Sequence, residues 1–192
     1  MYLIGDIGNS EIKICLVTSK KKIIKRINFS SNDISRTNVK KYFKSSYKYF
    51  SKIEKILFCS VVPSSFNLIK KFLKTKTKVK CYEVKELNLT SLIKIKVNYN
   101  QVGSDRVTNA ISLIDNNKNF IIVDLGTATT FDVLIKNDYM GGVIAPGIKI
   151  SLNTLSDRAT LIPKIDLKKI NKVIGSDTIT AVRSGFFWGY AG

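Results

Sequence analysis

The first thirty residues alternate between apolar and polar positions in runs of strand length. Residues 2–6 (YLIGD) form a short apolar run that ends in aspartate, and residues 11–18 (EIKICLVT) and 22–29 (KIIKRINF) alternate with period two. This pattern predicts a small antiparallel meander. Residues 30–38 are turn-rich. From 39 to 53 the period changes: Val39, Tyr42, Phe43, Ser46, Tyr49, Phe50 and Ile53 fall at helical spacing, with Ser46 the weak member. Residues 55–62 predict a buried strand stopped by Pro63. Residues 64–74 predict a helix capped by Ser64 or Ser65, and residues 79–84 another strand. Beyond Gly103, Val107, Ala110, Ile111 and Ile114 share one face of a helix over 105–115. Three strands follow at 120–126, 129–135 and 139–145, closed by Pro146-Gly147, with helices at 148–157 and 177–190. Strands interleaved with helices predict an α/β fold.

One stretch occurs twice. Leu-Ile-Gly-Asp-Ile-Gly-Asn-Ser at 3–10 is echoed by Ile-Ile-Val-Asp-Leu-Gly-Thr-Ala at 121–128. Each is an apolar strand, an Asp-apolar-Gly-polar turn and a second strand. A unit built twice, once near the start of each half, implies two related lobes. We expect them at 1–102 and 103–192, each a mixed sheet with an antiparallel meander and flanking helices, and two carboxylates facing each other across a cleft.

Composition narrows the chemistry. The chain has 192 residues and a formal charge of +18. Residues 13–96 hold 20 Lys and 2 Arg against 4 acidic residues, whereas residues 97–192 are nearly balanced. The excess is therefore a lysine-rich stretch rather than the arginine forks that read bases, and nucleic acid is not the expected partner. No apolar run approaches the ~18 residues of a membrane span, and Met1–Asp6 does not read as a leader, so a cytoplasmic protein is expected. Cys15, Cys59 and Cys81 are too few and too widely spaced for a disulfide framework or zinc site, and read as small core residues. Histidine is absent. That excludes a Ser-His-Asp triad and leaves a carboxylate, lysine, tyrosine or thiolate as base.

The turns carry the candidate chemistry. Gly8 permits close backbone approach to a ligand, Asn9 and Ser10 supply an amide and a hydroxyl, and Lys13 a positive charge. Gly126 and the hydroxyls after it repeat the arrangement beside Asp124. Carboxylate, glycine turn and hydroxyl together suit a nucleotide phosphate with a hard cation. A single such motif is also a plain hairpin turn, and the duplication favours the phosphate reading. No Gly-x-Gly-x-x-Gly occurs. Gly142 to Gly147 has P-loop spacing, but Ile148 stands where that loop needs lysine. Gly103-Ser104-Asp105-Arg106 sits at a predicted helix start. It reads either as a helix cap with a local ion pair or as a base (Asp105) beside an anion-binding guanidinium (Arg106), which suits phosphoryl transfer to an alcohol. The lysine–aromatic interleaving at 40–50 reads as a helix whose aromatic stripe is buried.

Taken together, Asp6-x-Gly8-Asn9-Ser10, Cys59-Ser60-Val61-Val62-Pro63, Gly103-Ser104-Asp105-Arg106, Val123 to Asp132, Gly141 to Gly147 and Asp177-Thr178 resemble the type III pantothenate kinases, in that family's order and across the whole chain. The resemblance implies an actin-like fold of the sugar-kinase and Hsp70 ATPase type. It also implies ATP-dependent phosphorylation of pantothenate to 4'-phosphopantothenate, the first step of coenzyme A synthesis. On it, Asp105 is the proton acceptor. Asp6, Gly8, Asn9, Ser10, Lys13 and Thr127 hold ATP, with Asp6 organising Mg2+ through water. Tyr99, Gly103, Ser104, Asp105, Arg106 and Thr178 contact pantothenate, and Asp124 holds a monovalent cation, potassium or ammonium. A homodimer is implied, and a C-terminal lobe without its last elements. Ser10 stands where the family usually has threonine and keeps the hydroxyl. Some members were first described as accessory transcription factors (Bvg accessory factor-like), so a regulatory or catalytically impaired member is the alternative.

Overall fold

The computed structural model describes residues 1–191, the side chain of Ala191 excepted. Among the described residues there are nine strands: β1 (Tyr2–Ile7), β2 (Glu11–Val17), β3 (Ile23–Ser30), β4 (Lys55–Ser60), β5 (Cys81–Glu83), β6 (Lys94–Ile95), β7 (Asn119–Leu125), β8 (Ala128–Ile135) and β9 (Asp138–Pro146). Five α-helices accompany them: α1 (Val39–Phe43), α2 (Pro63–Lys74), α3 (Ser104–Ser112), α4 (Ile148–Arg158) and α5 (Thr178–Ala191). The fold is α/β, with two mixed sheets and flanking helices.

Packing divides the chain into two compact units. One is Met1–Phe120 with Val133–Gly141, and the other is Ile121–Asp132 with Gly142 onward. The first contains a five-stranded sheet of order β3-β2-β1-β4-β5. Its β1, β2 and β3 form the antiparallel meander expected from the alternation, while β4 lies parallel to β1 and β5 parallel to β4. Period-two alternation sorts the two faces. Leu3 and Ile7 of β1, Ile12, Ile14 and Leu16 of β2, and Ile56 and Phe58 of β4 are buried in one core with Phe43, Phe50, Phe66, Ile69, Phe72 and Leu73. Gly5 belongs to the same face. A Cβ there would run into the Phe58 ring, so glycine is what lets that ring lie across β1.

The segment 39–53 departs from the expected single helix. It begins as α1 and continues as a 3-10 helix, Lys44–Lys52. Its buried side still holds Phe43, Ser46 and Phe50, and Phe43 packs 5.1 Å from the Phe72 ring. The aromatic stripe is therefore core, as the spacing predicts, but in a tighter helix. The α2 start also differs. Neither serine caps it: Val62 is the N-cap and Pro63 opens the first turn, where its missing N–H costs nothing.

The second sheet has the order β6-β9-β8-β7, with β6 parallel to β9. Gly126-Thr127 joins β7 to β8 and Lys136-Asn137 joins β8 to β9. A two-residue connection reverses the chain, so these strands form the second meander. On the edge strand β7, Ile121, Val123 and Leu125 all stand largely exposed, at 71%, 52% and 67%. Gly141 has φ +100°, a conformation that side chains strain to adopt, and a Cβ there would come within 3.1 Å of the Val97 side chain.

A Gly5→Ala substitution is expected to destabilise the protein by about 1–3 kcal/mol through overpacking against Phe58. A urea midpoint equal to that of the parent chain would contradict this packing.

Candidate active site

The face of the first sheet opposite its core carries the polar residues. Asp6 of β1 lies directly across from Lys13 of β2 and beside Cys59 of β4. All three therefore project from the same face. The Cys59 thiol approaches the Asp6 carboxylate, Sγ to Oδ1 3.4 Å, and the Gly5 carbonyl at 3.7 Å. Helix α3 packs against β4 on this side. The Asp105 carboxylate, in its first turn, is close enough to act on the same thiol. Burial chiefly, then the negative charges of Asp6 and Asp105, push the Cys59 thiol far above its ordinary range, while contact with the Thr108 hydroxyl works weakly the other way. The Asp6 carboxylate thus sits beside a neutral thiol, and the Asp105 charge acts on the same group.

After β1 the chain turns tightly. The Gly8 N–H donates to the Glu11 carbonyl at 3.0 Å, and the Ser31 hydroxyl donates to the Gly8 carbonyl at 2.5 Å. A Cβ on Gly8 would sit 3.2 Å from the Glu11 oxygen. Asn9 and Ser10 are exposed at the turn, and Lys13 makes a loose pair with Glu11 at 3.7 Å.

The segment leading into α3 is irregular. Tyr99–Gln101 is a 3-10 turn opened by Asn98, whose side chain accepts from Asn100 N–H. Gly103 is the N-cap of α3 and makes no side-chain cap bond. A Cβ on Gly103 would overlap the Asp105 carboxylate, so glycine makes room for it. Asp105 Oδ1 accepts the Arg106 amide at 2.8 Å, which fixes the carboxylate near the positive end of the helix. Ser104 is buried and its hydroxyl donates to Glu83 Oε1. Tyr99 is half-buried with the Lys85 ammonium 4.6 Å from its ring centre. Burial and then the Glu83 charge raise its phenol above the ordinary tyrosine range. Arg106 is half-buried in the first turn.

The second compact unit holds the other echo. Asp124 lies at the end of β7, and the Gly126 N–H donates to the Ala128 carbonyl at 2.9 Å. A Cβ on Gly126 would meet nothing closer than that carbonyl, at 3.8 Å, so the chain itself leaves open space there. Thr127 follows on the exposed turn, and its carbonyl accepts the Gly147 N–H at 3.1 Å. Gly147 packs so closely that a Cβ would strike the carbonyls of Gly126 and Thr127. The Pro146-Gly147 block therefore supports the Asp124 turn. Thr178 opens α5. Asp177 caps that helix by accepting the Thr180 amide at 2.8 Å, and this bond holds its carboxyl below the usual carboxylate range.

Asp6, Lys13, Tyr99, Gly103, Ser104, Asp105 and Arg106 thus belong to the first unit, and Asp124, Thr127 and Thr178 to the second. Sequence patterning reads Cys59 as a small core residue, whereas it lies half-buried beside Asp6, reads Gly147 only as the end of a strand, and assigns nothing to Glu83 or Lys85. The signals were faint: Cys59 follows Asp6 only through strand register, and Glu83 and Glu86 form a capping box across a single 3-10 turn, Val84–Glu86. Among the described residues no group of three or more Cys, Asp or Glu side chains forms a metal cage, and no helix is long and apolar enough to cross a membrane.

An α/β protein with two strand–Asp–Gly turns and a helix-borne carboxylate is the class that fold and site define. The chain belongs to the type III pantothenate kinase family, whose sequence model matches residues 2–192. It is 60% identical over 192 residues to the type III pantothenate kinase of Pelagibacter ubique, covering all of this chain and 77% of that one. It is 32% identical over 195 aligned residues to the enzyme of Fusobacterium nucleatum, covering 97% and 76%. A solved Baf family structure from Campylobacter jejuni shares the fold, with TM-score 0.54 and 21% identity over 98% of this chain and 75% of that one.

Cys59 and Cys81 are both held as thiols, Cys81 pushed by burial up to about 12. The folded state binds these protons more tightly than an unfolded chain, whose thiols titrate near ~8.5. Their contribution to stability is full below that pH and declines as pH rises through and beyond it. At about pH 8, native Cys59 and Cys81 should alkylate at least ~10-fold more slowly than in urea-unfolded protein, read by mass spectrometry. Equal rates would contradict the burial.

Proposed function

We propose that this chain phosphorylates pantothenate at its primary hydroxyl with ATP, giving 4'-phosphopantothenate and ADP, the committing step toward coenzyme A. Family membership supports the reaction. The observation that carries the site assignment is the meeting of Asp6 and Cys59 on the polar face of one sheet, Sγ to Oδ1 3.4 Å, with helix α3 and its Asp105 packed against the same strand β4. Phosphoryl transfer needs little covalent help from a protein. It needs a base near the acceptor oxygen and positive charge around the phosphates.

In this reading Asp105 accepts the hydroxyl proton as the new P–O bond forms and the bond to the ADP oxygen breaks. Arg106 and the Gly103–Ser104 segment hold the anionic acceptor, with Tyr99 beside them. The Asp6 turn, with Gly8, Asn9, Ser10 and Lys13, receives the phosphates of Mg-ATP, and Asp6 meets the magnesium through water. Thr127 and the open space at Gly126 suit close approach of a nucleotide to backbone. A lone aspartate oxygen at Asp124, with carbonyls and water completing the shell, fits a weakly held monovalent cation such as potassium better than a transition metal. That ion would supply fixed positive charge near the nucleotide. The proposal extends to a cytoplasmic homodimer, and to a duplication whose repeats meet at 102/103, a boundary of ancestry rather than of packing.

Asp105→Asn should lower kcat by about 100-fold or more in a pantothenate phosphorylation assay, with nucleotide binding retained. Turnover like the parent's would remove Asp105 as the base. Replacing potassium with a large organic cation should lower activity, and unchanged rates would remove the Asp124 role. A regulatory family member would bind nucleotide without turnover in the same assay.

A further inference from the structure

The acceptor segment Tyr99–Arg106 has little regular structure to hold it. Its backbone bonds are local: Gln101 N–H to Asn98 at 3.0 Å, Val102 N–H to Tyr99 at 3.3 Å, and Val107 N–H to Gly103 at 3.1 Å. Segments of this kind open easily. Two residues of a neighbouring turn grip it from outside. The Lys85 ammonium donates to the Tyr99 carbonyl at 2.8 Å and to the Val102 carbonyl at 2.9 Å, and lies over the Tyr99 ring. The Glu83 carboxylate accepts the buried Ser104 hydroxyl with one oxygen. With the other it accepts the Lys85 amide at 2.8 Å. The turn itself is braced, because the Glu86 carboxylate accepts the Glu83 amide at 3.2 Å and pairs with Lys70 of α2 at 2.8 Å.

The geometry points to Glu83 and Lys85 as positioning residues for the acceptor site: one rigid turn holds Tyr99, Val102 and Ser104 so that Asp105 and Arg106 meet the pantothenate hydroxyl and carboxylate. This inference rests on the acceptor-site reading above. Its chemistry is specific. Lysine satisfies two carbonyls that lie on either side of the 3-10 turn, so the turn keeps its width. Glutamate fixes the first residue of α3, which sets the direction in which the Asp105 carboxylate leaves the helix. Both bonds are charge-assisted and partly shielded from solvent, so each outweighs an ordinary surface contact. Neither residue need touch a substrate, and the expected signature is a fault in acceptor binding rather than in nucleotide binding.

The test uses Lys85→Met, Lys85→Arg and Glu83→Gln in the full chain. With Lys85→Met, amides of residues 97–106 should exchange about 10-fold faster by hydrogen-exchange mass spectrometry, while those of β1 and β4 stay as in the parent. The KM for pantothenate should rise about 10-fold with the KM for ATP within about twofold. Lys85→Arg, which can still donate to both carbonyls, should recover most of the loss. Glu83→Gln keeps an acceptor for Ser104 and loses the one for the Lys85 amide. It should shift both readouts in the same direction by about threefold, and it decides the matter if Lys85→Met does not fold. Unchanged exchange overturns the clamp. Faster exchange with an unchanged pantothenate KM, or equal rises in both KM values, overturns the positioning role. If the parent chain does not phosphorylate pantothenate, the acceptor reading fails and the positioning role with it, while the exchange measurement still decides whether the clamp exists.

Discussion

The register of β1 against β4 is the constraint on which the rest depends. In that parallel pair Gly5 meets Phe58 on one face and Asp6 meets Cys59 on the other. A slip by one residue would turn Leu3 and Ile7 toward solvent and bury Asp6 among phenylalanines. Burial of an unpaired carboxylate there would cost several kcal/mol, so the hydrophobic core itself enforces the position of the polar site. The absence of a side chain at Gly5 is part of the same lock, because it admits the Phe58 ring across the strand.

Much of this was legible in the sequence because β2 and β3 alternate with period two, because β1 and β4 are short apolar runs with sharp ends, and because the Asp-apolar-Gly turn occurs twice. Strand existence and order along the chain follow from those patterns. The 3-10 character of Lys44–Lys52 does not, since buried positions at 43, 46 and 50 suit either helix and only backbone hydrogen bonding separates them. The roles of Glu83 and Lys85 were illegible for another reason. They act on residues 14 to 21 positions away, Lys85 through two backbone carbonyls and Glu83 through the Ser104 hydroxyl, and no local spacing encodes those bonds. The same holds for Gly147. Its neighbour in sequence, Pro146, marks the end of a strand, whereas its work is to admit the backbone of Gly126 and Thr127.

The two echoed turns reach similar shapes by different means. The Asp6 turn is tied by its own Gly8–Glu11 bond and by Ser31 from beyond β3. The Asp124 turn is tied by Gly126 to Ala128 and by Gly147 from the end of β9. In both, a glycine follows the aspartate by two positions, and the brace comes from the end of the meander. The first similarity lies in the sequence itself, where Asp-apolar-Gly occurs at 6–8 and again at 124–126. The second follows from topology, because the end of a three-strand meander is the nearest backbone available to its first turn.

A site built from carboxylates must receive anions, and charge arrangement decides whether it can. Asp6 and Asp105 would repel phosphate unless offset locally, and the offsets are specific: Lys13 opposite Asp6 in the strand register, Arg106 beside Asp105, and Lys85 behind Tyr99. The Cys59 thiol, held neutral chiefly by burial, bonds to Asp6 and adds no negative charge of its own. The lysine excess over residues 13–96 then acts at longer range. It leaves the molecule at +18, a surface charge that favours the approach of anions. Long-range attraction of this kind is screened by salt over ~8 Å at physiological strength, whereas the paired groups inside the site are screened far less. Salt should therefore slow encounter more than it weakens the bound state, which is the behaviour expected when steering and chemistry are assigned to different charges.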